Sequence, residues 1–163
     1  MNLKSVERII WEKPFIPATR PVTDDIFEFA EDTVLRMQVK SGGKYYKYEQ
    51  GVPQTYLNDK CTRWPLRKRD GLCEAGGLFH DPNYETKGYR RFVQEGLYLL
   101  IDGEPSTMDR RAADDLYELM FDRVKENSTE QERDKAWLRI GGWIYWGRTK
   151  KAIKKIRKER NKK

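Results

Sequence analysis

The chain predicts an α+β fold: a small N-terminal antiparallel β-sheet followed by a helical core of three or four helices. Three observations carry that expectation. Residues 33–39 alternate apolar and polar, and an aromatic run follows a Gly-Gly turn. Apolar residues recur at helical spacing between about Thr107 and Glu126. A capping-box pattern, Ser128-Thr129-Glu130-Gln131, opens another helical stretch.

Residues 1–32 read as an irregular arm, because Pro14, Pro17 and Pro21 forbid a long helix. Within it, Asp24 to Ala30 predicts a short helix anchored by Ile26, Phe27 and Phe29. Residues 33–58 predict a hairpin or small sheet. Leu35, Met37 and Val39 form its buried face, and Val34, Arg36 and Gln38 the other. Ser41-Gly42-Gly43 is the turn, Lys44 to Tyr48 the return strand, and Gln54 to Asn58 a further short strand. Residues 59–77 are a charged connector, and the helical core is expected over 78–147. Pro82 suits the first turn of a helix or the end of a preceding one. Tyr89 to Ile101 is compatible with a helix or an apolar strand, and Asp102-Gly103-Glu104-Pro105 is a turn.

Ser106 is the expected N-cap of the helix from Thr107, whose apolar face is Ala113, Leu116, Tyr117, Met120, Phe121 and Val124. At about 100° per residue, Asp114 falls at the edge of that face and Asp115 points to solvent. In the last helix of the core, Ala136, Trp137, Ile140 and Ile144 line the inner face, with Gly141-Gly142 allowing close packing or a kink.

The length of 163 residues bounds the chain to one domain, here 1–147, plus a basic C-terminal tail, 148–163. Hydrophobic and charged residues are nearly equal, 37% and 36%, but five Trp, nine Tyr and six Phe suffice for a core, which excludes global disorder. The net charge of +7 is unevenly placed. Ten Lys or Arg stand against Glu159 alone from Arg148 onward, so the tail carries +9 and the body −2. Basicity is therefore a property of the tail, which reads as an electrostatic contact for nonspecific nucleic acid, an anionic membrane or another subunit. Ala152, Ile153 and Ile156 give it a thin apolar stripe, helical if docked. No apolar run approaches the ~20 residues of a membrane span, and Met1 to Lys13 lacks the apolar stretch of a signal peptide. Cys61 and Cys73 are expected as free thiols; with His80 they match no zinc spacing. No nucleotide site is expected.

Chemistry centres on Leu78-Phe79-His80-Asp81-Pro82-Asn83-Tyr84, led by Gly76 and Gly77. His80 is the only histidine, and its ordinary pKa suits a general base near neutral pH. Tyr84 follows one helical turn later, and Asp114, from another helix, is the carboxylate placed to orient the imidazole. Adjacent helical residues diverge by about 100°. Asp81 is therefore expected not to pair with His80 but to ligate a hard cation, with carbonyls near Gly76 and Gly77. Calcium suits such oxygen donors better than zinc. Against this stands the plainer expectation that a lone histidine is structural.

His80-Asp81-x-x-Tyr84 followed on a later helix by Ala113-Asp114 resembles the core motif of calcium-dependent phospholipases of the A-two type, especially their disulfide-free viral and microbial forms. The resemblance implies His80 as base, Asp81 on calcium, and Tyr84 and Asp114 holding the histidine. A broader stretch, roughly residues 45–147, resembles a family of uncharacterised bacteriophage proteins. Its markers here are Gly51-Val52-Pro53, Asn58-Asp59, Trp64-Pro65, His80-Asp81-x-x-Tyr84, Arg111-Ala112-Ala113-Asp114-x-x-Tyr117 and Trp143…Gly147. That resemblance implies a phage context, in a virion or host cytoplasm, and no reaction. Two expectations follow: a phage-encoded ester or phospholipid hydrolase, or a non-enzymatic virion or accessory protein whose His–Asp network is structural.

Overall fold

The Gly-Gly turn at 42–43 has both residues at positive φ (57° and 77°), the conformation a two-residue hairpin needs. It joins the two longest strands of the computed structural model, which describes residues 1–11, 17–24, 26–58, 74–86, 95–124 and 142–162. These strands are β5 (Thr33–Ser41) and β6 (Lys44–Val52), paired in register from Thr33↔Val52 to Ser41↔Lys44. The alternation resolves as expected: Leu35, Met37 and Val39 are buried, while Arg36 and Gln38 are exposed.

Four short strands precede the hairpin: β1 (Asn2–Leu3), β2 (Arg8–Ile10), β3 (Thr19–Pro21) and β4 (Phe27–Phe29). The described part of the N-terminal arm thus carries strands, and Phe27–Phe29 of the expected helix over 24–30 are strand β4. Proline is tolerated here because β3 is an edge strand, and Pro21 lies at its end. After β6 come β7 (Leu57–Asn58), helix α1 (Glu74–Thr86), β8 (Tyr98–Ile101), β9 (Glu104–Pro105), β10 (Thr107–Met108), helix α2 (Arg110–Val124) and helix α3 (Gly142–Arg160). The capping box at 128–131, the charged connector through residue 73 and both cysteines lie outside the described residues.

The fold class therefore differs from the expected sheet followed by a helical core. Among the described residues the architecture is mostly β, with three sheets, and α1 is inserted between strands. One sheet is antiparallel in the order β2-β5-β6-β8-β9, one is β3-β4-β7, and β1 pairs in parallel with β10. That last pair joins Asn2 to Thr107, a closure no local periodicity could reveal. It also moves the start of α2. Thr107 belongs to β10, Ser106 Oγ donates to the Glu104 carbonyl, and Asp109 takes the N-cap position, its carbonyl accepting from Ala113 N–H.

The main core lies between the inner face of the five-stranded sheet and helices α1 and α2, built on Leu35, Val39, Ile101, Leu78, Phe79 and Leu116. Phe29 meets Tyr56 and Phe79 edge-on, at centroid distances of 6.3 and 6.2 Å, which locks α1 to the three-stranded sheet. A second, smaller cluster joins Ile26 and Leu57 to Ile153 of α3. The expected boundary between body and tail at 147/148 thus falls inside one helix, whose C-terminal half is packed on the body. Among the described residues no helix is long and apolar enough to cross a membrane.

Candidate functional site

The side chains of α1 at 78–83 and 85 are buried or half-buried, yet four of these residues are His, Asp, Asn and Glu. Leu78 and Phe79 are fully buried, as are Asn83 and Glu85 within 1%, and Asp81 is 6% exposed. A helix in that position needs a partner for each polar group. The partners come from four different elements, and this makes α1 the hub of the molecule.

The first partner is in α2. His80 Nε2 lies 2.8 Å from Asp114 Oδ1, joining side chains 34 residues apart. The expected pairing of the lone histidine with the edge carboxylate of the later helix is present. Asp114 Oδ2 faces Arg110 Nε at 3.6 Å, one turn back on α2. The Tyr117 ring meets the imidazole edge-on, with centroids 5.5 Å apart. Asp81 departs from expectation. Its Oδ1 lies 3.8 Å from His80 Nδ1, so it faces the imidazole rather than standing free. The 100° between adjacent positions separates their Cβ atoms, but side chains of this length curl back across it. Asp115 departs too: it does not point to solvent, and its Oδ2 accepts from the Val6 backbone N–H at 3.0 Å.

Two carboxylates, the imidazole and the half-exposed Arg110 guanidinium thus meet at the contact of α1 and α2. Only 12% of the His80 side chain is exposed. Burial by itself lowers the histidine pKa, because it disfavours the imidazolium. Hydrogen bonding and attraction from Asp114 and Asp81 outweigh it, and the pKa is raised to about 9.

The remaining partners hold the rest of α1. The buried Tyr48 hydroxyl on β6 lies 2.9 Å from both Asn83 Oδ1 and Gln50 Oε1. Burial pushes that phenol far above its ordinary pKa, only partly offset by Asn83, so it stays protonated. Glu85 Oε1 faces Arg157 Nη2 of α3 at 3.7 Å. The fourth contact is to the helix backbone. Pro82 lies inside α1, not at an end. Having no N–H, it leaves the carbonyl four residues earlier, Leu78, without a helical donor. Asn58 Nδ2 on β7 donates to that carbonyl at 3.2 Å.

Gly76 and Gly77 lie in the first turn of α1. Helical carbonyls there point to N–H groups four residues on, not to a shared cation. Tyr84 is on α1 one turn after His80, but its side chain lies outside the described residues. A calcium ion takes roughly six to eight oxygens, and the described residues hold no group of three or more His, Cys, Asp or Glu placed around one ion. A separate groove of about 620 Å³ is lined by Ile10, Trp11, Val34, Arg36, Gln38 and Leu100 among others, and includes none of the His80 cluster.

Sequence reasoning missed Asn83, Glu85, Asn58 and Arg110. The available signal was the poverty of apolar residues after Phe79: a helix placed mid-chain with His, Asp, Asn and Glu has to bury polar groups. No family model matches the chain, and no curated protein or solved structure matches it.

Proposed function

We propose that the chain is a non-enzymatic accessory protein, in the phage setting that its sequence resemblance implies, and that the His80 cluster is an internal charged staple between α1 and α2. The observation that supports this reading is that a carboxylate faces each of the two imidazole nitrogens. Nε2 is on Asp114 at 2.8 Å and Nδ1 faces Asp81 at 3.8 Å. An imidazole that holds both protons at neutral pH has no lone pair with which to accept one from water. Such a cluster fixes the angle between two helices, and the working surface then lies elsewhere on the molecule.

The hydrolase reading keeps one specific observation in its favour. The 2.8 Å contact of Nε2 with Asp114 is the base–orienter arrangement, and the longer contact leaves Nδ1 as the nitrogen that would take a proton. It requires His80 to be neutral at working pH. One experiment separates the two. Mixed anionic phospholipid vesicles are incubated with wild type and His80→Gln, with calcium and with chelator, and both proteins are melted at pH 6. The staple reading expects no fatty-acid release from either protein and a lower melting temperature for the variant. Calcium-dependent release by wild type, lost in the variant, would overturn it.

A further inference from the structure

Helix α3 has two opposite faces. Ile153 is 2% exposed and Ile156 packs beside it, against Ile26 and Leu57. On the same side, Arg157 faces the buried Glu85, with its guanidinium carbon 5.9 Å from the Tyr56 ring centre, and Arg160 Nη2 reaches Glu28 Oε2 at 2.7 Å. At about 100° per residue these four positions centre on one side of the helix. Lys151, Lys154, Lys155 and Lys158 recur at i, i+3, i+4 and i+7, which places them on the opposite side. All four are exposed and none makes an ion pair among the described residues. The arginines and isoleucines hold the helix down, and the lysines form a free positive row along its outer edge.

We infer that this lysine row is a sequence-nonspecific docking surface for the phosphate backbone of duplex nucleic acid. The inference names a partner for the accessory role proposed above and rests on that reading. Four lysines over eight residues span about 10 Å of helix, at 1.5 Å per residue. Duplex DNA presents a charge about every 1.7 Å of its axis, so the row meets a continuous array of partners. Lysine, a compact point charge on a flexible stem, suits phosphate contact without base reading. A membrane fits the row less well. Surface-lying helices bury an apolar face in the lipid interface, whereas the apolar side chains of α3 at Ile153 and Ile156 are already packed on the body.

The test is binding of a 30-base-pair duplex of arbitrary sequence by the full chain, across a series of salt concentrations. Lys151, Lys154, Lys155 and Lys158 are changed together to Gln, and Lys44→Gln with Lys47→Gln, on the hairpin, is the control. Vesicles of phosphatidylserine and phosphatidylcholine serve as the competing surface. Four phosphate contacts predict a slope of log K against log salt near −3.6, or about a 150-fold loss of affinity between 50 and 200 mM salt. The quadruple variant is expected to lose most of that slope while melting like wild type, and the control to keep it. Absence of duplex binding at 50 mM salt overturns the inference, as does a quadruple variant that binds like wild type. Vesicle binding that depends on the four lysines while duplex binding does not would also overturn it. None of these failures touches the His80 staple, which is tested by its own variant.

Discussion

Replacing Asn58 by alanine is expected to destabilise the protein through a carbonyl on another element. Pro82 deprives the Leu78 carbonyl of its helical donor, and Leu78 is fully buried, so water cannot substitute. Asn58, itself 1% exposed, supplies the missing donor at 3.2 Å. Leaving a buried acceptor unmet costs about 1–3 kcal/mol. The single variant alone does not isolate that contact, because truncation removes every other contact of Asn58 as well. A double-mutant cycle does. Pro82→Ala restores an N–H at position 82, and the Leu78 carbonyl regains its own helical bond. Asn58→Ala should then cost at least about 1 kcal/mol less in the Pro82→Ala background than in wild type, and the other losses cancel between the two. Urea unfolding followed by tryptophan fluorescence at constant pH measures all four corners. Additivity within about 0.5 kcal/mol would refute the reasoning.

Three further outcomes follow from the same structure. His80 has a folded pKa of about 9 against 6.5 for the free side chain, so its contribution to stability is fully present below pH 6.5 and is lost as pH rises through 9. The raised pKa corresponds to about 3 kcal/mol, and the stability difference between wild type and His80→Gln should shrink by that order between pH 6 and pH 9.5. Gly51 lies beneath the ring of its cross-strand neighbour Tyr98, and an added Cβ would meet ring carbons at 2.1–2.7 Å. Gly51→Ala should therefore cost about 1–2 kcal/mol by displacing that ring, and close to nothing in a Tyr98→Ala background, as read by thermal melting. Ile153→Ala should cost about 2–4 kcal/mol by opening the α3 contact with Ile26 and Leu57. Limited proteolysis should then cut within 148–160 before it cuts the hairpin.

Local signals in the sequence carried the parts of the structure that local physics decides. The hairpin, its turn and its buried face were legible because alternation and Gly-Gly chemistry act over a few residues. Asp114 was legible as the partner of His80 because helical spacing put it at the edge of an apolar face. The short strands β1 to β4 were not legible. Each has two or three residues, too few to show a period, and β1 and β2 exist only because a distant strand pairs with them, as Asn2 does with Thr107. The fold class failed for that reason, since strands stabilised by long-range pairing leave almost no period to read. Asp115 was misplaced because helical geometry alone cannot report the Val6 amide that approaches from the N-terminal segment. Pro82 was misplaced because a helix-interior proline is costly, and the residue that offsets the cost, Asn58, lies on a strand before the helix.

The most direct measurement is the titration of His80. It is the only histidine, so its ring signals in a two-dimensional NMR spectrum need no assignment. A charged staple predicts an imidazolium protonated on both nitrogens at pH 7, with a pKa of about 9. That pKa should fall markedly in Asp114→Asn. A wild-type pKa below 7, with the neutral ring and a free Nδ1 lone pair at physiological pH, would contradict the staple and return His80 to the role of a base.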